Sequence, residues 1–120
     1  GHISSANNQT LRIRIKSNSI LLADTGVITL PQITVKHFKL DIDFTVRALG
    51  GITFGSIVSG GEFTYSKDAS NAFEGSNFST ENNTTFDTTI SNTLAITAQW
   101  GSTNAANSIY CEIFTLTKTY

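Results

Sequence analysis

The sequence has no methionine, one cysteine, one proline and few charged residues. Cys111 is the only cysteine, so an intrachain disulfide is excluded, and its place in an apolar run predicts a small buried side chain rather than a reactive thiol. Charged residues make up 14% of the chain and the net charge is −1, so we expect no binding of nucleic acid. No apolar run approaches the roughly 18 residues of a membrane span, which predicts no membrane insertion.

Signatures of catalysis and of metal binding are also scarce. The sequence contains no nucleophile elbow, phosphate-binding loop or zinc-ligand spacing, and His37 would be an isolated base. Asp41 and Asp43 lie between Lys39 and Arg47 on the same side of an alternating segment, which is typical of a charge-paired surface. We therefore expect a protein that is not an enzyme and that needs no cofactor and no metal.

The residues that are abundant favour β-structure. Ser, Thr and Asn together make up about a third of the chain, alongside many Ile and Phe residues. Apolar and polar residues alternate over residues 38–49, apart from the final Leu49, and again over residues 10–16, which predicts half-buried strands. Turn signals recur at a spacing of roughly 8–12 residues, and no segment predicts an amphipathic helix. The pattern predicts an all-β sandwich or barrel of about eight or nine short strands.

The two ends of the chain are expected to differ. Residues 1–9 are polar and begin with Gly1-His2, so we interpret them as a tag remnant and flexible linker on a fragment of a longer polypeptide. Residues 10–120 are expected to form one domain. Its last strand is predicted over residues 108–120, inside a sheet and apolar on both faces.

The longest segment without a periodic pattern runs from Lys67 to Thr85 and predicts an irregular loop. Long loops in compact domains are often functional, and aromatic side chains supply contact area at little conformational cost. The alternative is that the two phenylalanines anchor the loop onto the sheet. The candidate receptor-binding residues of this segment are Asn71, Phe73, Asn77, Phe78, Asn82 and Asn83.

Several segments resemble one family of viral proteins. They are Thr10–Lys16, Ala23–Gly26, Lys39–Thr45, Leu94–Gly101 and Ser108–Tyr110 with the Thr-rich run after it. Together they resemble the C-terminal segment of tail-fibre and spike-type structural proteins of phages and large DNA viruses. The resemblance implies an antiparallel jelly-roll sandwich of about eight strands that assembles as a homotrimer. It also implies a head domain on the virion surface that engages the host cell.

The expected function is therefore a viral head domain that presents loops for host-cell attachment, with a cell-surface receptor or a glycan as partner. Tyr110 and Glu112 in the last strand are the candidate subunit contacts, and a position at the edge of the core is the alternative. Two other functions stay open. One is a purely structural module that caps or trimerises a fibre or decorates a capsid. The other is a lectin-like domain in which Trp100 stacks on a sugar, against a packing role at the rim of the core.

Overall fold

The computed structural model describes residues 1–118, apart from the side chain of Asn82. It is all-β within these residues, as the alternating pattern predicts. The nine strands of the described chain are β1 (His2–Ser5), β2 (Gln9–Ser17), β3 (Ile20–Asp24), β4 (Ile28–Leu30), β5 (Ile33–Ala48), β6 (Ser56–Ser66), β7 (Phe73–Asn83), β8 (Leu94–Trp100) and β9 (Ser108–Tyr110).

The strands form two antiparallel sheets in a sandwich-like arrangement. The first sheet has the order β7-β6-β5-β1-β9. The second is centred on β2, which pairs with β8 along one edge and with β3 and β4 along the other. Because β3 contacts both β6 and β7, the two sheets face each other across a shared apolar layer.

Alternation in the sequence explains which residues enter this layer. Leu11, Ile13 and Ile15 of β2 are at most 2% exposed, whereas the arginines between them reach solvent. In the facing sheet, the ring of Phe63 is fully buried and lies 5.7 Å from Phe38 and 5.6 Å from Tyr65, measured between ring centroids. The remaining fully or nearly fully buried apolar residues are Ile3, Leu22, Ala23, Leu30, Ile33, Ile57 and Phe86.

The N-terminal residues are ordered, which corrects the flexible linker predicted for residues 1–9. Ile3 is 1% exposed, and β1 pairs with β5 on one side and with β9 on the other. The sequence pattern missed this strand because its other residues are a histidine and two serines, so that Ile3 is the only strongly apolar residue in it. The interpretation of Gly1-His2 as a tag remnant stays a prediction.

The C-terminal strand is much shorter than predicted. β9 ends at Tyr110, and residues 111–118, which we call the C-terminal segment, continue without a turn or bend and without strand pairing. Every residue of this segment is exposed, so the burial predicted for Cys111 is wrong. Thr119 and Tyr120, which the predicted strand also included, lie outside the described residues. An apolar sequence alone does not make a buried strand, because burial also requires a hydrogen-bonded neighbour.

Candidate functional site

The segment predicted as an irregular loop is largely a strand. β7 occupies 11 residues of it and pairs with β6 at the edge of the first sheet. Its Asn, Ser and Thr residues hide the alternation because an edge strand needs few apolar side chains. The irregular part is the hairpin turn at residues 67–72, together with the residues that follow Asn83.

Strand pairing separates the two candidate phenylalanines. Phe78 lies opposite Gly61, partly buried and packed against the core, which agrees with the anchoring alternative for this ring. Phe73 lies opposite Ser66 and is 78% exposed. Asn77 lies opposite Glu62 and is exposed on the outer face of the sheet. The six candidate residues therefore do not form one surface.

Hydrogen bonds join the hairpin turn at residues 67–72 to the start of β5. Asn71 has a φ of 52° and its side-chain oxygen accepts a hydrogen bond from Lys36 Nζ at 3.1 Å. The carboxylate of Asp68 accepts hydrogen bonds from the hydroxyl and the backbone N–H of Thr34, at 2.6 and 2.8 Å. These bonds lower the pKa of Asp68, because they favour the charged carboxylate. Asn71 is thus held in a structural contact.

Asn83 also has a structural contact. Its side-chain Nδ2 donates to the backbone oxygen of Leu21 at 2.7 Å, and its Oδ1 accepts from the Thr85 N–H at 3.0 Å. These bonds join the end of β7 to β3 and to the next turn. The side chain of Asn82 lies outside the described residues.

A shallow acidic depression lies on the outer face of β5, β6 and β7. Gly60 and Gly61 leave a space of about 530 Å³ that is bordered by Asp41, Asp43 and Glu62, with Asn77 at its rim. Lys39 Nζ lies 2.8 Å from Asp41, and this hydrogen bond raises the pKa of Lys39. In the part of the chain that the structure describes, no group of three or more His, Cys, Asp or Glu side chains could hold a metal ion.

The two candidate contact residues lie where the first sheet meets the C-terminal segment. Tyr110 pairs with His2 and is 64% exposed. The side chain of Glu112 contacts His2 Nδ1. Beyond them, Ile113, Phe114 and Leu116 are 82%, 57% and 70% exposed. The sequence signal for this surface is the same apolar run that predicted a buried strand.

Trp100 lies at the end of β8, opposite Leu11 of β2. It is partly buried and packed against the core, which agrees with a role at the rim of the core. The next residue, Gly101, donates its N–H to the Thr10 carbonyl at 2.9 Å and so continues the pairing with β2.

Comparisons with known proteins give no match: no protein-family model, curated protein or solved structure is similar to this chain. Residues 1–118 include no helix with the length and apolar character needed to cross a membrane.

Proposed function

We propose that this chain is a structural head domain that assembles with copies of itself, as a jelly-roll homotrimer on a viral fibre or spike. The observation that carries the proposal is the exposed apolar surface at the C-terminal end. Tyr110, Phe114 and Leu116 alternate along an extended segment and are each more than half exposed. Clusters of exposed apolar side chains are typical of protein interfaces.

The energetic argument favours burial of this surface by another protein. Full burial of one large apolar side chain contributes roughly 1.5–3 kcal/mol. Three such side chains in each copy supply a driving force that offsets part of the entropy cost of association. The resemblance of Leu94–Gly101 and Ser108–Tyr110 to trimeric viral heads supports three copies around one axis.

An assembly role is better supported than recognition by the β6–β7 hairpin. Asn71 and Asn83 use their side chains in contacts within the domain, and Phe78 is packed against the core. Three of the six residues that the sequence suggested as a receptor loop therefore make contacts within the domain. A cap for a fibre, or a decorating subunit of a capsid, needs no receptor loop.

Light scattering at micromolar concentration tests the proposal. We expect a particle of three times the 13.0 kDa chain mass. The double variant Phe114→Ser/Leu116→Ser should be monomeric, while Leu49→Ser, which changes an 81% exposed leucine elsewhere, should stay trimeric. A monomeric wild-type chain would contradict the proposal.

Host attachment is a second candidate, favoured by one observation. Phe73 is 78% exposed and shares the outer face of β7 with Asn77, which borders the acidic depression. An exposed aromatic ring on the same face as an acidic depression suits a polar ligand such as a glycan. Three weak sites on one axis would then act by avidity. Host-cell binding by the wild type that is lost in Phe73→Ser but kept in Phe54→Ser, a variant of another exposed phenylalanine, would support this role.

A further inference from the structure

Most of β5 has a paired neighbour on one side only. β6 pairs with it from Phe38 to Ala48, whereas β1 reaches only as far as the pair between His2 and His37 and the bonds of Gly1 with Phe38. Within residues 1–118, no strand pairs with the other side of β5 from Lys39 to Ala48. We call this side the open edge.

The hydrogen bonds between Phe38 and Gly1 show which residues of β5 direct their backbone N–H and C=O groups toward the open edge. Phe38 donates its N–H to the Gly1 carbonyl at 2.9 Å and accepts from the Gly1 amino group at 3.2 Å. In an antiparallel ladder every second residue faces the same neighbour. The N–H and C=O groups of Leu40, Ile42, Phe44 and Val46 therefore point to the open edge, and no hydrogen bond among the described residues reaches them.

The C-terminal segment begins one strand away from the open edge. His2 lies between His37 of β5 and Tyr110 of β9, and Ile3 lies between Lys36 and Ile109. Beyond Gly1 both flanks continue, β5 from Lys39 and the C-terminal segment from Cys111, with no bend. Because β1 lies between them, β5 and the C-terminal segment are two strand spacings apart. Beyond Gly1 they therefore border a gap about 9.5 Å wide, which has room for one strand.

The apolar faces that border this gap are incompletely covered. Val46 at the inner face of β5 is 46% exposed. In the other sheet, β3 packs near β6 and β7, so β2 and then β8 lie progressively closer to the open edge. Ile96 of β8 lies opposite the buried Ile15 and so points inward, yet it is 37% exposed. A strand in the gap would cover both side chains.

We propose that the gap takes an extended strand that continues β1 beyond Gly1 in the same polypeptide. The strand would pair with the open edge on one side and with the C-terminal segment on the other. Continuity with β1 favours this occupant, because β1 already sets the register of the added strand against β5 and against the C-terminal segment. The strand also belongs to the same polypeptide, so no second molecule has to bind. The C-terminal segment then becomes a paired strand, as its sequence pattern predicts.

The register specifies the chemistry of the occupant. The residue directly before Gly1 would lie opposite Lys39 and Glu112 and point outward. The second, fourth, sixth and eighth residues before Gly1 would lie opposite Leu40, Ile42, Phe44 and Val46 and point inward. The proposal therefore requires apolar residues at these four positions and polar residues between them.

Two nine-residue extensions of equal composition, placed before Gly1 in the full chain, test the proposal. One has Val at the second, fourth, sixth and eighth positions before Gly1 with Thr elsewhere. The control has Val at the first, third, fifth and seventh positions. We expect only the first to slow hydrogen exchange at the Leu40, Ile42, Phe44 and Val46 amides, by about tenfold or more, and to raise the unfolding midpoint.

Two results would overturn the proposal. One is equal protection by both extensions, or by neither. The other is strong protection of the same four amides in the 120-residue chain only when it oligomerises, because the occupant would then be a second copy. Light scattering on the extended chains separates this question from the proposed function, since the inserted strand leaves the outward side chains of Phe114 and Leu116 free for trimer formation.

Discussion

The buried aromatic cluster gives the sharpest prediction about the fold. Phe63 is fully buried between Phe38 and Tyr65, whereas Phe73 on the neighbouring strand is 78% exposed. Truncation of a buried phenylalanine to alanine costs about 3–5 kcal/mol, because apolar contacts are lost and a cavity remains. Truncation at an exposed position costs less than about 0.5 kcal/mol. Phe63→Ala should therefore be far more destabilising than Phe73→Ala.

Urea denaturation measures the difference. For a denaturant dependence of about 2 kcal/mol per molar, Phe63→Ala should lower the midpoint by about 2 M, and Phe73→Ala by less than about 0.3 M. Equal shifts for the two variants would refute the assignment of Phe63 to the core and of Phe73 to the surface. A midpoint that is hardly lowered by Phe63→Ala would refute the shared layer between the two sheets.

Three further predictions concern local geometry. Gly61→Ala should destabilise by about 1–3 kcal/mol, because a Cβ there meets the backbone oxygen of Asp41 and, at 2.8 Å, the Phe78 ring. Gly60→Ala, whose Cβ has its nearest neighbour at 3.8 Å, should be tolerated, and equal urea midpoints for the two variants would contradict this. The hydrogen bond from Arg12 lowers the pKa of Asp24 below its usual value of 3.8. The ion pair therefore stabilises the fold above pH 3.8, and this stabilisation is lost as the pH falls through the lowered pKa. Asp24→Asn should flatten this acid dependence of the unfolding midpoint, and an unchanged pH profile would argue against the pair. Val35 has a φ of 46° and is 66% exposed, so Val35→Asn should raise the melting temperature by relieving about 1 kcal/mol of strain, and a lower value would contradict it.

The sequence predicts the strands whose residues alternate strongly. β2 and β5 are confirmed because one face of each carries large apolar side chains along most of its length. β8 has the same alternation, with Leu94, Ile96, Ala98 and Trp100 on the face that continues the buried face of β2. The sequence also predicts the all-β class, since no segment has a helical period.

The periodicity of a segment does not show which strand it pairs with. β7 was hidden because Asn, Ser and Thr dominate a strand whose hydrogen bonds come from β6. β1 was hidden because Ile3 is its only strongly apolar residue and the strand is held by two neighbours. The C-terminal segment shows the converse, because its apolar residues predict a strand but no described strand lies beside it.

The candidate binding residues illustrate the same limit. The composition of residues 67–85 draws attention to Asn71, Phe73 and Phe78 as one group. The register of β7 on β6 then places Phe73 outward and Phe78 inward, and the turn fastens Asn71 to Lys36. Which side chains share a surface depends on the register of β7 on β6 and on contacts with β5, and the composition of the segment specifies neither.

Amide hydrogen exchange along β5 of the 120-residue chain tests the open edge most directly. Lys39, Asp41 and Asp43 direct their N–H groups toward β6 and should exchange slowly. Leu40, Ile42 and Phe44 direct theirs toward the open edge and should exchange at least about tenfold faster. An alternating pattern along the strand would support the open edge, and uniform protection of all six amides would contradict it.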